Sequence, residues 1–249
     1  MRVAQRLGSA APVLFELVDG GRVALVTLNR PERLNAYDCG MRDGLFAALG
    51  AVRDDPRVQA MIVRGNGPAF CTGGDLAEFG TAPSPTRARE VRWLRDVWGM
   101  LWSVPAVTIA AVHGYTVGGG LEMALLCDQC IAASDARFAL PETGLGMIPG
   151  VGGTQTLARL AGLGRALHVV LAGRWFDARQ ARAWGIASRV VPRRQLDAAA
   201  RAAARRALRC NAGLLRQLKR AVSEGLDLPL ADGLRLEWRL AHSRPRAGC

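Results

Sequence analysis

Apolar and polar positions alternate in short blocks along the first half of this chain. Val13 to Val18 and Val23 to Leu28 are apolar runs flanking D-G-G, a pattern that predicts a β-hairpin. The polar loop N-R-P-E-R-L-N-A follows, and Pro31 ends the strand. Asp38 is placed to cap a helix reaching about Arg53, with Met41, Leu45, Phe46, Ala48, Leu49 and Val52 on its apolar face and Pro56 closing the unit. Ala60 to Val63 is another short strand, running into the glycine-rich loop from Gly65 to Asp75. Glu90 to Trp102 reads as a helix with Val91, Leu94, Val97, Trp98 and Leu101 on one side.

Val107 to Val112 is short, apolar and rich in β-branched residues, as a buried strand is. Gly118, Gly119 and Gly120 then turn the chain into a helix carrying Leu121, Glu122, Met123, Ala124, Leu125 and Leu126, with Asp128 marking its end. Short strands at Ile131 to Ser134 and Arg137 to Leu140 lead to a loop from Pro141 to Thr154. The remainder reads as helical: Thr154 to Leu160, Arg165 to Ala172, Ala178 to Trp184 with Gly185 as terminator, Gln195 to Cys210, Leu214 to Glu224 and Leu230 to Ala241. Strands and helices mix early and helices dominate late, so the pattern predicts an α/β core with a helical C-terminal region.

Composition adds bounds. With 249 residues, half of them hydrophobic, the chain can bury a large core. T-A-P-S-P-T, residues 81 to 86, reads as a loop and not a domain boundary. The net charge of +12 comes almost wholly from arginine, Lys219 being the only lysine. A basic balance favours anionic partners, nucleic acid or a phosphate-bearing small molecule. The arginines are spread along the chain and not gathered in one tract, which also fits a solvated face. Six cysteines lack the dense spacing of a disulfide scaffold, so an intracellular, reduced and cytoplasmic protein is expected. Cys127 and Cys130 form a lone C-x-x-C with no second half to complete a zinc site, and are expected to be buried structural thiols. Residues 1 to 12 are expected to be a disordered leader, and no apolar run reaches membrane-spanning length.

Three glycine-rich loops carry the candidate chemistry: F-C-T-G-G-D, V-G-G-G-L-E and I-P-G-V-G-G-T. None has the G-K-[ST] ending of a phosphate-binding Walker loop, and none has dinucleotide-binding spacing after a first strand. There is no G-x-S-x-G elbow for serine chemistry, and His113, at a strand end, suits a structural hydrogen bond better than catalysis. Carboxylates remain. Glu122 lies beside the free N–H groups of a helix start, where developing negative charge is stabilised, and Glu142 follows Pro141 in an apolar, buried-looking context. Such a pair can hold one water or move one proton.

The runs F-C-T-G-G-D-L, H-G-Y-T-V-G-G-G-L-E-M-A-L-L-C-D and F-A-L-P-E-T-G-L-G-M-I-P-G-V-G-G-T-Q, with the earlier V-T-L-N-R-P-E-R-L-N-A, resemble the enoyl-CoA hydratase/isomerase, or crotonase, superfamily. The likeness spans about Val13 to Val191. It implies a spiral of β-β-α units over residues 13 to 192, then a helical trimerisation region over 193 to 249, assembling as trimers or dimers of trimers. It also implies an acyl-CoA substrate, with no cofactor besides the CoA the substrate carries and no metal. By motif position the thioester oxygen would lie between the N–H groups of Gly74 and Gly119. The CoA would run along Arg33, Leu34, Ala36, Thr72, Asp75 and Leu76, beside Gly74 and Gly119. Family members that hydrate enoyl-CoA carry both glutamates, and both positions are filled here, by Glu122 and Glu142. Many isomerases keep only the second. After E-W-R-L the sequence ends in A-H-S-R-P-R-A-G-C, where family members usually continue with a further amphipathic helix, so a shortened C-terminal region is expected.

The resemblance therefore points to an enoyl-CoA hydratase, a hydro-lyase, with a Δ3,Δ2-enoyl-CoA isomerase using Glu142 alone as the alternative. A non-catalytic RNA- or CoA-binding homologue is a further alternative. No RNA-binding motif is present, the glycine loops are poor in aromatic residues, and no nucleic-acid partner is expected.

Overall fold

The computed structural model describes residues 11–81 and 95–243. Its frame is a six-stranded sheet in the order β1-β2-β3-β4-β6-β9, with β1 (Val13–Val18) antiparallel to β2 (Val23–Leu28) and the other neighbours parallel. The inner strands are β3 (Ala60–Gly65), β4 (Val107–Val112) and β6 (Gln129–Ala133), and β9 (Arg189–Val191) forms the far edge. Parallel strands covered on both faces need apolar residues at successive positions, and alternation decides which layer each joins. Ala24, Val26, Met61, Val63, Ala110, Val112 and Ala132 face the larger core. Val23, Leu25, Ala60, Ile62, Ile109, Ala111 and Ile131 face the smaller one.

A second sheet of three strands stands beside the first: β5 (Tyr115–Val117), β7 (Arg137–Ala139) and β8 (Phe176–Asp177). Two isolated parallel bridges, Tyr37 to Gly74 and Cys71 to Thr116, extend it towards the front of the chain. Each pass of the chain thus adds one strand to each sheet: β3 then Cys71, β4 then β5, β6 then β7. The result is the expected α/β spiral.

Helix α1 (Cys39–Asp54) starts where Asp38 accepts a hydrogen bond from the Met41 N–H, and it buries Met41, Leu45, Ala48, Leu49 and Val52. Helices α2 (Leu76–Thr81) and α3 (Val97–Ser103) flank the undescribed stretch, and α4 (Gly119–Leu125) follows β5. Next come α5 (Gly153–Ala161), α6 (Leu163–Ala172) and α7 (Ala178–Ala183). Helix α8 (Leu196–Ala207) lays Leu196, Ala199, Ala200, Ala203 and Ala204 on the smaller core, where alanines let it approach the sheet closely. Helices α9 (Ala212–Gly225) and α10 (Leu230–His242) pack on each other. Lys219 ties α9 to the core, donating to the Ala106 carbonyl at 3.1 Å and the Asp128 carboxylate at 2.9 Å.

The structure corrects several sequence-based expectations. The region after Thr154 is not wholly helical, because β8 and β9 lie within it. Both are too short to display a periodicity of two. Strand β5 and helix α2 were likewise unforeseen, being three and six residues long. The loop from Pro141 to Thr154 contains a 3₁₀ turn, Glu142–Leu145. The helix read from Glu90 falls partly outside the described residues; its described portion begins at Val97, where Asp96 caps the Gly99 N–H. Residues 1–10 of the expected leader and the final residues 244–249 also lie outside them.

Candidate active site

The parallel pairing of β5 with β7 builds the centre of the site. It aligns Val117 with Ala139, and the Gly118 N–H donates to the Ala139 carbonyl at 2.9 Å, so both strands end at one edge. From one end α4 begins and carries Glu122 in its first turn. From the other the 3₁₀ turn begins and carries Glu142. Glu142 passes so close to Gly118 that a Cβ there would lie 2.9 Å from its Oε1, and Gly118 itself has φ +53°. Only glycine meets both conditions without strain.

Glu122 is 3% exposed. Its Oε1 accepts hydrogen bonds from the Val151 N–H at 3.0 Å and the Gly153 N–H at 2.8 Å, the latter at the first position of α5. Backbone amides at a helix start are a favourable place for a carboxylate, and two of them fix its orientation. The apolar sequence context of Glu142 predicts a buried carboxylate. It is only half-buried, because it sits on the exposed 3₁₀ turn and not inside a helix, although its Oε2 is covered.

The two glycine loops meet beside these carboxylates. Tyr37 pairs with the first loop through its N–H to the Gly73 carbonyl at 2.7 Å and its carbonyl from the Asp75 N–H at 2.8 Å. In such a bridge the middle residue turns its own N–H to the opposite side. The Gly74 N–H is therefore free of the Tyr37 pairing, and the Gly119 N–H, opening α4, has no carbonyl a turn before it to accept. Among the described residues neither donates a backbone hydrogen bond. Gly73 has φ +87° and abuts the Gly119 amide: a Cβ there would be 3.1 Å from the Gly119 nitrogen.

The remaining sequence candidates divide, for Arg33, Leu34, Ala36 and Asp75 are not among the residues that line the cavity. Thr72, Gly74 and Leu76 line the cavity, and the Thr72 hydroxyl donates to the Leu34 carbonyl at 3.3 Å. Arg33 is exposed on a 3₁₀ turn, Pro31–Arg33, which Leu34 ends in the left-handed region. The Ala36 carbonyl accepts a hydrogen bond from Arg30 Nη1 at 2.6 Å. Asp75 pairs with Arg30 at 3.1 Å. Burial pushes the Asp75 carboxyl up, but the Ala77 N–H and the Arg30 guanidinium outweigh it and leave it below the usual aspartate range. Asn35 pins the loop from inside. Its Nδ2 donates to the Asn66 and Ala69 carbonyls at 2.9 and 2.8 Å, and its Oδ1 accepts from the Arg30 N–H at 2.7 Å.

The cavity of about 190 Å³ is lined by Gly74, Gly119, Glu122 and Glu142, and also by Tyr37, Trp98, Leu145, Met147 and Val151. The last five carry no chemical signature in sequence. Tyr37 sits between a loop and a helix cap, and Trp98 was assigned only to an apolar helix side, yet their rings lie 5.3 Å apart. His113 bonds the Gly67 carbonyl at 3.1 Å through Nε2, away from the cavity lining, and burial lowers its pKa. Burial pushes the Cys71 thiol up to about 11 and the Cys130 thiol to about 12, so both are inert at neutral pH. Among the described residues no group of three or more His, Cys, Asp or Glu is placed to hold a metal ion. None of the described helices is long and apolar enough to cross a membrane.

A family model for enoyl-CoA hydratase/isomerase matches residues 19–247. A probable enoyl-CoA hydratase from Mycobacterium tuberculosis is 40% identical over 222 residues, covering 89% of this chain and 86% of that one. The enoyl-CoA hydratase structure from Bacillus anthracis superposes with a TM-score of 0.88 at 32% identity, covering 92% of this chain and 89% of that one. A Thermobifida fusca chain solved with acetoacetyl-CoA gives a TM-score of 0.84 at 31% identity, covering 94% of each chain. The paired carboxylates and the two glycine loops are thus set in a fold shared along nearly the whole chain, and the protein belongs to the enoyl-CoA hydratase/isomerase family.

Proposed function

We propose that this protein is an enoyl-CoA hydratase, adding water across C2=C3 of a trans-2-enoyl-CoA or running the reverse dehydration. The observation that carries the proposal is the convergence of Glu122, Glu142, Gly74 and Gly119 on one cavity. The thioester oxygen sits between the Gly74 and Gly119 N–H groups, which stabilise enolate charge where it develops. Glu122 and Glu142 hold one water between them. Glu122 assists addition of the water oxygen to C3, and Glu142 provides the proton for C2. Water and enoyl thioester supply every atom of the product, so the chemistry needs no cofactor. The CoA runs past Arg33, Leu34, Ala36, Thr72, Asp75 and Leu76, where the exposed Arg33 suits its phosphates. That acetoacetyl-CoA occupies the Thermobifida fusca relative supports an acyl-CoA ligand here.

Loss of the enoyl-thioester absorbance on adding the protein is the direct test, and no turnover across short, medium and branched chains would sink the proposal. The alternative, Δ3,Δ2-isomerisation by Glu142 alone, is separated by Glu122→Ala: isomerisation survives that substitution, whereas hydration does not.

We propose further that the chain assembles as a trimer through its C-terminal helices. Leu218 and Val222 on α9, Leu226 just after it, and Leu230, Leu234 and Trp238 on α10 are all more than half exposed, more apolar surface than a lone helical pair keeps in water. Sedimentation equilibrium reads the assembly, and a monomer at micromolar concentration refutes it.

A further inference from the structure

The Arg30 side chain joins the segment before α1 to the loop holding Gly74. Its Nη1 donates to the Ala36 carbonyl at 2.6 Å and lies 3.1 Å from the Asp38 carboxylate, which caps α1. Both terminal nitrogens lie 3.1 Å from Asp75 Oδ2. Asp75 uses its other oxygen to accept the Ala77 N–H at 3.1 Å, which starts α2. One largely covered guanidinium therefore serves three acceptors on two segments, at 17% exposure against 13% for Asp75 and 21% for Asp38. A second link runs parallel to it, from the Cys39 N–H to Glu78 Oε1 at 3.0 Å.

Gly74 immediately precedes Asp75 in the chain. It follows Gly73, and neither has a side chain to pack, so their shared peptide can rotate unless its neighbours prevent it. The Tyr37 bridge fixes the Gly73 carbonyl and the Asp75 N–H. The carboxylate of Asp75 is the first side chain after the two glycines, and Arg30 grips it. Arg30 itself does not line the cavity.

We infer that Arg30 is a positioning residue that aims the Gly74 N–H at the thioester oxygen, acting through Asp75. The inference rests on the proposed function, in which that N–H is one of two donors to the oxygen. A planar, permanently charged fork is suited to this task because it holds several acceptors at fixed angles. A lysine at the same position keeps the charge but not the angles.

The test uses a chromophoric thioester, 4-dimethylaminocinnamoyl-CoA, whose absorbance shifts to the red when its carbonyl oxygen is polarised. Wild type is expected to bind it with a red shift. Arg30→Lys is expected to bind it with a clearly smaller shift, and to lose about 10²-fold in kcat with KM unchanged, as for a donor misplaced by about an ångström. Asp75→Asn, which keeps the acceptor for the Ala77 N–H, is expected to show the same smaller shift and lowered kcat, and serves if the lysine variant does not fold. A role confined to stability would lower the melting temperature and leave the red shift of bound ligand intact. If both folded variants show the wild-type shift and kcat, the positioning role is overturned. If wild type binds the thioester with no shift at all, the two-donor reading itself fails, and the inference fails with it.

Discussion

The Gly153 N–H donates to Glu122 Oε1 at 2.8 Å, and a Cβ on Gly153 would stand 2.9 Å from that same oxygen. The helix start that fixes the carboxylate therefore leaves no room for a side chain. Gly153→Ala is expected to push Glu122 from its place and cost about 10²-fold in kcat, since catalysis is that sensitive to displacement. Steady-state kinetics on a variant shown to be folded by circular dichroism checks this, and an unchanged kcat would contradict it.

The two carboxylates are assigned different protons, and exchange at C2 separates them. Glu142→Gln is expected to abolish solvent-deuterium exchange at C2 of a bound acyl-CoA and to lower hydration by roughly 10²–10⁴-fold. Glu122→Ala should lose hydration but keep the C2 exchange. Proton NMR in deuterium oxide reads both outcomes, and exchange persisting without Glu142 would reverse the assignment.

Trp98 closes the cavity beside Gly119 and packs on Tyr37 at 5.3 Å. Helix α3 delivers it on a firm base, because Val97 and Leu101 are buried. Trp98→Ala removes a large part of that wall. The ratio of kcat/KM for octenoyl-CoA over crotonyl-CoA should rise by about tenfold or more, given what one methylene is worth in an apolar pocket. A uniform loss across chain lengths would show that the ring does not bound the acyl chain.

Asn35 is fully buried, at φ +55°, with both ends of its amide bonded to backbone groups of other residues. Alanine would leave those buried groups without this partner and is disfavoured in the left-handed region. Asn35→Ala is expected to cost about 3 kcal/mol, read as a lower urea midpoint. A loss under about 1 kcal/mol would mean that water replaces the amide.

His113 links stability to pH. Burial, then the nearby Arg193, lowers its pKa, while the Gly67 carbonyl and Asp135 act the other way and lose. A lowered folded pKa means that the unfolded chain binds the proton first. The contribution is therefore complete above the unfolded value of about 6.5 and fades as pH falls towards the folded one. The melting temperature should drop between pH 7 and pH 5, and His113→Gln should flatten that drop. Equal slopes for the two proteins would refute the assignment.

Much of the fold is legible along the chain. The D-G-G hairpin, the Asp38 cap and the apolar strands β3, β4 and β6 follow from local rules, because each depends on residues close together in sequence. Strands β5, β8 and β9 do not, since two or three residues show no periodicity and exist only because a neighbouring strand pairs with them. Tyr37, between a loop and a helix cap, and Trp98, on an apolar helix side, are equally silent as cavity residues until the spiral brings their rings together.

The sequence by itself determined which candidate groups this protein has for chemistry: two glutamates, three glycine-rich loops and a polar loop before α1. Glycine motifs and carboxylates are local, and their spacing carries over intact. Only the tertiary structure decided that these groups share a cavity. The parallel pairing of β5 and β7 sets Glu142 against Gly118, the start of α5 orients Glu122, and Arg30 ties the Gly74 loop to α1. Those relations are made by hydrogen bonds between residues far apart in the chain, and no local pattern encodes a contact whose partner lies in another turn of the spiral.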